Sequence, residues 1–282
     1  MTKKSKVIAI ASPTATGKSK LAVELAHKIG GEIVSADSRL VYKGFEIAVA
    51  KPTVEEREGV PHYLIDVVEP EVDYSVANYF DDASKVIEDI LSRGKTPIVV
   101  GGTGLYFRIL LEGYDLPRVS PNETLRAELE EKTNEELLKI LKTLDEKSFI
   151  DLQESSKRKI IRTIEICKGL GKPLSEISMQ SEPKYDVEWI GINMTREEIY
   201  DRINKRVDKM VEMGLIDETK RLLTIHGRIP NFVKTIGYQE ILQYLDGEIS
   251  LDRAVELLKQ HTRNYAKRQL TWFRRNKALG IT

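Results

Sequence analysis

Residues 7–19 constrain this chain more than any other stretch. Val7-Ile-Ala-Ile-Ala11 is apolar without a break, which predicts a strand buried on both faces rather than one with a wet side. It runs into Ser12-Pro-Thr-Ala-Thr-Gly-Lys-Ser19. Leu21, Ala22, Leu25, Ala26 and Ile29 then recur with helical period until Gly30-Gly31 stops them. Strand, Gly-Lys-Ser loop and helix, in that order, supply the context that the second half of GxxxxGK[ST] requires. Further strands are predicted at Glu32–Ser35, Tyr63–Val68, Pro97–Val100 and Trp189–Asn193. Between the third and fourth strands lies a helix capped by Ser75, with Val76, Phe80, Ala83, Ile87, Ile90 and Leu91 on its apolar face. Strands alternating with helices specify an α/β fold: a parallel sheet flanked by helices, of the P-loop NTPase-like kind.

The texture changes near Pro117. From Ser120 to about Gly169 the chain reads as one charged helix after another, rich in Glu, Lys and Leu, with no strand candidate. This predicts an all-helical subdomain, residues 118–183, inserted into a core made of 1–117 and 184–282. The 282 residues, 41% hydrophobic and 31% charged, suit such an arrangement and exclude collagen-like, disordered and disulfide-scaffold classes. The single cysteine, Cys167, cannot form an internal disulfide, and no apolar run approaches a membrane span, so a cytoplasmic protein is expected. His27, His62, His226 and His261 show no metal-ligand spacing.

Lys plus Arg equals Asp plus Glu, 44 against 44, but the charges are segregated. Between Lys259 and Lys277 stand seven basic residues and no acidic one, and Lys157-Arg158-Lys159 with Arg162 forms a second basic cluster. Such stripes are either solvated helix faces or a surface for phosphates.

Candidate chemistry collects at the loops after the strands. Ser12, Pro13, Thr14, Ala15, Thr16, Gly17, Lys18 and Ser19 predict a site for a di- or triphosphate. Helix-start amides face the anion, Lys18 adds a compact charge, and the Ser19 hydroxyl is a ligand for Mg²⁺. Ser12 replaces the first glycine of the pattern, at a cost of ~1–2 kcal/mol if that position needs positive φ. Asp37, just past the second strand, belongs at the same sheet edge. Holding Mg²⁺, acting as general base and capping a turn are all open to it. Gly101-Gly-Thr-Gly104 brings Thr103 to that edge, and no acid ends the Pro97–Val100 strand to make a Walker B site. Arg202 and Arg206, four apart beside the stripe Ile199, Ile203, Val207 and Met210, form either a diphosphate clamp or a solvated flank.

With these pieces together the chain resembles the bacterial tRNA dimethylallyltransferases. The likeness runs almost end to end, through Pro13–Ser19, Ile33–Ser38 with Val41-Tyr42, Ala50–Thr53, Pro61-His62 with Leu64–Asp66, Tyr74–Ala77 and Val99–Tyr106. It continues through Lys159–Glu165, Arg202–Met210, Gly237-Tyr238, Thr262–Gln269 and Thr271–Arg274. It implies transfer of a dimethylallyl group from its diphosphate to the exocyclic amine of the adenine on the 3′ side of a tRNA anticodon. By that resemblance the phosphate loop, with Arg206 and Arg202, holds the allylic diphosphate. Asp37 is then the general base, Thr103 orients base and adenine, and Mg²⁺ is the cofactor. Asp37, Ser38, Arg39, Leu40, Thr103, Arg126, Arg158, Lys159, Ile160, Ile161 and Arg162 match positions that meet tRNA, Arg263, Lys267 and Arg268 line a basic core surface, and the insertion grips the anticodon arm. A monomer is expected. Departures fall at Ser12, at Arg39-Leu40 where the family has Met-Gln, at Tyr63 in place of a histidine, and at Glu154-Ser-Ser156. Rival readings are an isopentenyltransferase acting on free adenine nucleotides, a P-loop kinase of small metabolites, and a non-catalytic RNA-binding protein.

Overall fold

The computed structural model describes residues 4–281. In chain order, β1 (Lys6–Ala11) leads through the phosphate loop into α1 (Lys18–Ile29), followed by β2 (Glu32–Ala36), β3 (His62–Tyr63), α2 (Val76–Ser92), β4 (Pro97–Gly101) and α3 (Gly104–Leu111). Four helices then come in succession: α4 (Glu123–Glu130), α5 (Asn134–Leu144), α6 (Glu146–Leu152) and α7 (Lys157–Leu170). β5 (Asp186–Ile190) restores the sheet. The chain closes with α8 (Arg196–Glu212), α9 (Leu215–His226), α10 (Pro230–Val233), α11 (Tyr238–Leu245) and α12 (Leu251–Phe273).

The sheet order is β3-β2-β4-β1-β5 and every pairing is parallel. Ile8, Ile10, Ile33, Ile98 and Val100 pack against Ala22, Val23 and Ala26 of α1. Their alternating neighbours Val7, Ala9, Val34 and Val99, all fully buried, serve the opposite face, where α2 and α3 cover the strands. The apolar stripe of α1 runs through Val23 and leaves Ile29 exposed, shorter than its period predicts. The predicted Tyr63–Val68 strand survives only as His62–Tyr63. Leu64 (φ 61°) and Asp66 (φ 56°) sit in the left-handed region, which no strand accommodates, and Val68 rejoins the sheet only as a bridge to Tyr42. β5 ends at Ile190 rather than continuing to Asn193.

One buried charge holds the end of the sheet remote from the phosphate loop. Glu32, at the start of β2, accepts hydrogen bonds from Arg93 (2.7 and 2.6 Å), Lys95 (2.6 Å) and the Tyr63 hydroxyl (2.9 Å). The Arg93 bonds, aided by Lys95 and Tyr63, outweigh the cost of burial and hold its carboxyl down at about 2. A carboxyl depressed in the folded state contributes stability that is present above its unfolded value and disappears as pH falls through the folded one. Glu32→Gln is therefore expected to cost about 1–3 kcal/mol at pH 7, less than a fully buried pair because Arg93 and Lys95 are partly exposed. Urea titrations should show the gap between wild type and variant closing between pH 4.5 and 2. A gap that stays constant with pH would mean that packing, not charge, is at stake.

The chain divides into two compact units, Gly113–Glu182 and the remainder. In the smaller, Leu129, Leu137, Leu141, Leu152, Ile160, Ile161 and Ile164 form a core of their own. Its two ends are tied where the Ser181 N–H donates to Gly113 O (2.7 Å) and the Asp115 N–H to Met179 O (3.0 Å). In the larger, α8, α9, α11 and α12 pack on one another, and Phe107 of α3 meets Phe273 of α12 edge-on at 6.0 Å. Among the described residues no helix is long and apolar enough to cross a membrane.

Candidate active site

Register puts three loops on one level. Ala11 of β1 and Ala36 of β2 both pair with Gly101 of β4, so Ser12, Asp37 and Gly102 begin their loops side by side at the carboxyl edge of the sheet. The glycines of Gly101-Gly-Thr-Gly104 are there for close approach. A Cβ at Gly101 would lie 2.1 Å from Ala36 O, one at Gly102 2.1 Å from the Gln269 amide, and one at Gly104 2.0 Å from the Trp272 ring. Thr103 is thereby pressed against the second loop. Its N–H donates to Ala36 O (3.1 Å) and its Oγ1 accepts from the Ser38 N–H (3.2 Å). Asp37 turns the chain, its Oδ1 accepting from the Arg39 N–H at 2.8 Å. Turn capping thus occupies one carboxylate oxygen of Asp37.

The phosphate loop takes its bends at Ala15 (φ 65°) and Gly17 (φ 90°), not at Ser12, so serine at the first position carries no left-handed strain. Ser12 is fully buried and donates to Ile192 O (3.3 Å), while Thr16 Oγ1 donates to Pro13 O (2.9 Å). α1 begins at Lys18, and its first amides have no carbonyl within the helix to reach. Lys18 is half-buried. Desolvation pushes its ammonium down to about 8, with Asp37 opposing the shift and Arg206 adding to it. α8 delivers both arginines to this loop, Arg206 Nη1 donating to Thr14 Oγ1 (3.1 Å) and Arg202 Nη1 to Thr16 O (3.4 Å). The pair that four-residue spacing left undecided between clamp and solvated flank is at the phosphate loop. Burial lowers the Arg206 pKa from its ordinary value.

α12 joins the two sides. Gln269, buried, accepts from the Thr14 N–H (2.9 Å) and donates to Gly102 O (2.9 Å). The Thr14 amide is therefore already engaged by protein. One turn earlier, the Tyr265 hydroxyl touches the side chains of Thr103 and Gln269, and burial, reinforced by the Asp37 charge, raises its pKa. Neither Tyr265 nor Gln269 was singled out from sequence. Their four-residue spacing on one face of the helix was the available signal.

These groups surround a cavity of about 490 Å³. Of the candidate residues, Thr14, Lys18, Asp37, Ser38, Arg39, Arg206 and Arg268 line it, while Ser12, Ser19, Leu40, Thr103, Arg202, Arg263 and Lys267 do not. Five cations (Lys18, Arg39, Arg206, Lys234 and Arg268) face it and Asp37 is its one carboxylate. Ala48, Val49, Ile203, Val207, Met210, Ile236 and Leu258 give it apolar surface as well, among uncharged polar side chains such as Gln239, Asn264 and Tyr265. Such a lining suits a ligand that carries both an anionic and an apolar part. Among the described residues no group of three or more His, Cys, Asp and Glu side chains could hold a metal. To Mg²⁺ the chain offers the exposed Ser19 hydroxyl in the first turn of α1, a donor set that suits an ion held chiefly by substrate phosphates and water.

In the helical unit the predicted RNA contacts divide. Arg158 and Lys159 are exposed at the start of α7. Ile160 and Ile161 are buried in the core, so their side chains are not available to a ligand, a correction to their placement as contacts. Arg126 and Arg162 are both bound to Glu165, a carboxylate 1% exposed that also accepts from the Asn122 N–H (2.7 Å). Their charge is largely answered within the unit. On α12, Lys267 and Arg268 are exposed, whereas Arg263 donates to Asn204 Oδ1 at 2.7 Å.

The model of the IPP transferase family matches residues 40–276. A tRNA dimethylallyltransferase of Carboxydothermus hydrogenoformans is 46% identical over 278 residues, covering 96% of this chain and 89% of the relative. One from Pelotomaculum thermopropionicum is 45% identical, covering 98% and 90%. Among solved structures, the tRNA isopentenylpyrophosphate transferase of Bacillus halodurans superposes with a TM-score of 0.73 at 43% identity, covering 99% of this chain and 89% of that one. A eukaryotic dimethylallyltransferase, seen acting on tRNA, gives 0.84 at 31% identity, covering 95% and 70%. With a phosphate loop, two arginines and one carboxylate set around a half-apolar cavity, and with matches of this length, the chain belongs to the IPP transferase family.

Proposed function

We propose that this protein transfers a dimethylallyl group from dimethylallyl diphosphate to the exocyclic amine of the adenosine on the 3′ side of a tRNA anticodon, releasing diphosphate. The observation that carries this reading is the cavity itself, which combines five cations and a single carboxylate with seven apolar side chains in one lining. Lys18, Arg206 and the first amides of α1 hold the diphosphate and stabilise its negative charge as the allylic C–O bond breaks. Arg202 supports from the loop's outer side. Ser19 would hold Mg²⁺, which when bound would supply further positive charge for the leaving diphosphate. The apolar wall takes the isoprenoid and keeps water from the allylic carbon. As the new N–C bond forms, the amine's proton goes to Asp37, whose Oδ2 is not engaged in the turn. Thr103, by bonding the Ser38 amide, keeps that carboxylate aimed.

An adenine stacked in a loop cannot reach such a cavity and must be flipped out. In this reading the helical unit grips the anticodon arm through Arg158 and Lys159, and Lys267 and Arg268 of α12 take further phosphates. The setting is cytoplasmic and the working form a monomer. If so, tRNA affinity falls with salt, and Lys267→Ala and Arg158→Ala each lower the log–log salt slope by about 1. A slope unchanged in both variants would return these residues to the solvent-facing role.

The direct test incubates the protein with Mg²⁺ and radiolabelled dimethylallyl diphosphate, with unmodified tRNA or free AMP in parallel. Label in an adenosine of tRNA alone is the expected result. Label in AMP alone identifies a nucleotide prenyltransferase, and phosphoryl transfer from ATP with no prenyl transfer identifies a kinase.

A further inference from the structure

The wall of the cavity is not built of regular structure throughout. Ala48 and Val49 belong to a segment between β2 and β3 without helix or strand, yet they line the same cavity as Ile203, Val207 and Met210 of α8. What fixes them is a carboxylate behind the wall. Glu218 of α9 is 6% exposed, and it accepts from the backbone N–H groups of Ile47 (2.8 Å), Glu46 and Ala48 (both 3.4 Å). The hydroxyl of buried Tyr238 donates to the same carboxylate. Arg221, one turn on, donates to Gly44 O at 3.2 Å. Phe45 packs edge-on against Tyr238 at 5.0 Å, and Gly237, at φ 106°, lets the chain come so near that a Cβ there would sit 2.7 Å from the Ala48 Cβ. Three successive amides converging on one buried acid fix a loop far more tightly than apolar contact would.

The segment's distance from α8 sets the depth of the apolar end. Arg206 marks the diphosphate end on α8, and Met210 lies four residues beyond it, about 6 Å along the axis. We propose that Glu218 is a positioning residue that sets the length of prenyl chain the site accepts, by holding the 46–48 backbone, and with it Ala48 and Val49, against that end. The proposal rests on the prenyl-transfer reading above. It assigns Glu218 no contact with either substrate.

The test compares kcat/KM for dimethylallyl and geranyl diphosphate with tRNA as acceptor. Glu218→Gln turns an amide N–H₂ toward backbone donors and should loosen the segment. The preference for the five-carbon donor is then expected to fall about tenfold, a pocket-fit effect of the size that a few methylenes produce. KM for the five-carbon donor should rise while KM for tRNA stays unchanged. Tyr238→Phe keeps the buried ring and removes one donor to Glu218. It should shift the ratio in the same direction by a smaller factor, and it keeps the test open if Glu218→Gln does not fold. A ratio within twofold of wild type in the folded variants overturns the proposal. Equal loss with both donors overturns it too, since that is what general damage to the fold produces. A wild-type protein that transfers neither prenyl group overturns the functional reading instead, so the two failures are distinguishable.

Discussion

Replacing Asp37 with alanine is expected to slow single-turnover prenyl transfer by roughly 10²–10⁴-fold while leaving tRNA affinity nearly intact. The size follows from its being the one carboxylate among the residues that line the cavity. No second acid lines the cavity to take the amine's proton. Asp37→Asn separates the two duties of the residue. Asparagine keeps an oxygen for the Arg39 amide, 2.8 Å away in the native turn, but accepts no proton. It should therefore lose nearly as much rate as alanine with less disturbance of the loop. Rapid-quench measurement at saturating tRNA decides the point. A rate within threefold of wild type in both variants would remove Asp37 from the mechanism.

Lys18→Ala should lose roughly 10²–10³-fold in the same assay, because in the proposed reaction its charge stabilises the departing diphosphate more than the intact donor. Here pH gives an independent check. With the Lys18 ammonium pushed down to about 8 in the free protein, kcat/KM for the donor should fall as pH rises through that value. A bound diphosphate restores the charge, so the corresponding limb in kcat lies higher. Lys18→Arg should abolish the limb near 8, since a guanidinium keeps its proton there. An alkaline limb that persists in Lys18→Arg belongs to some other group.

The phosphate loop was fully legible in the chain, because strand, loop and helix are consecutive and each announces itself by local rules. Residues 7–29 need no distant partner to be recognised. Asp37 and Thr103 were placed at the same edge for a related reason, since each follows an apolar run that must be a parallel strand. Short strands were less legible. Tyr63–Val68 has strand composition, but Leu64 and Asp66 adopt positive φ, and composition carries no sign of that. Ile160 and Ile161 mislead in another way. Standing beside Arg158 and Lys159 they share a basic motif, while the helix turns them to the core. Arg126 and Arg162 look available in sequence because Glu165, which binds both, is recognisable as a buried acid only once the helices pack.

By itself, then, the sequence determined what is written locally or periodically: the parallel α/β class, the succession of helices between β4 and β5, and the strand, loop and helix of residues 7–29. The tertiary structure alone decided which side chains complete the site. Gln269 meets Thr14 across 255 residues, Arg206 reaches the same threonine across 192, and Glu218 holds Ile47 across 171. No period or spacing links positions so far apart. Their meeting is set by how α8, α9 and α12 pack, and packing depends on the shape and burial of the whole assembly of side chains rather than on any short run of them.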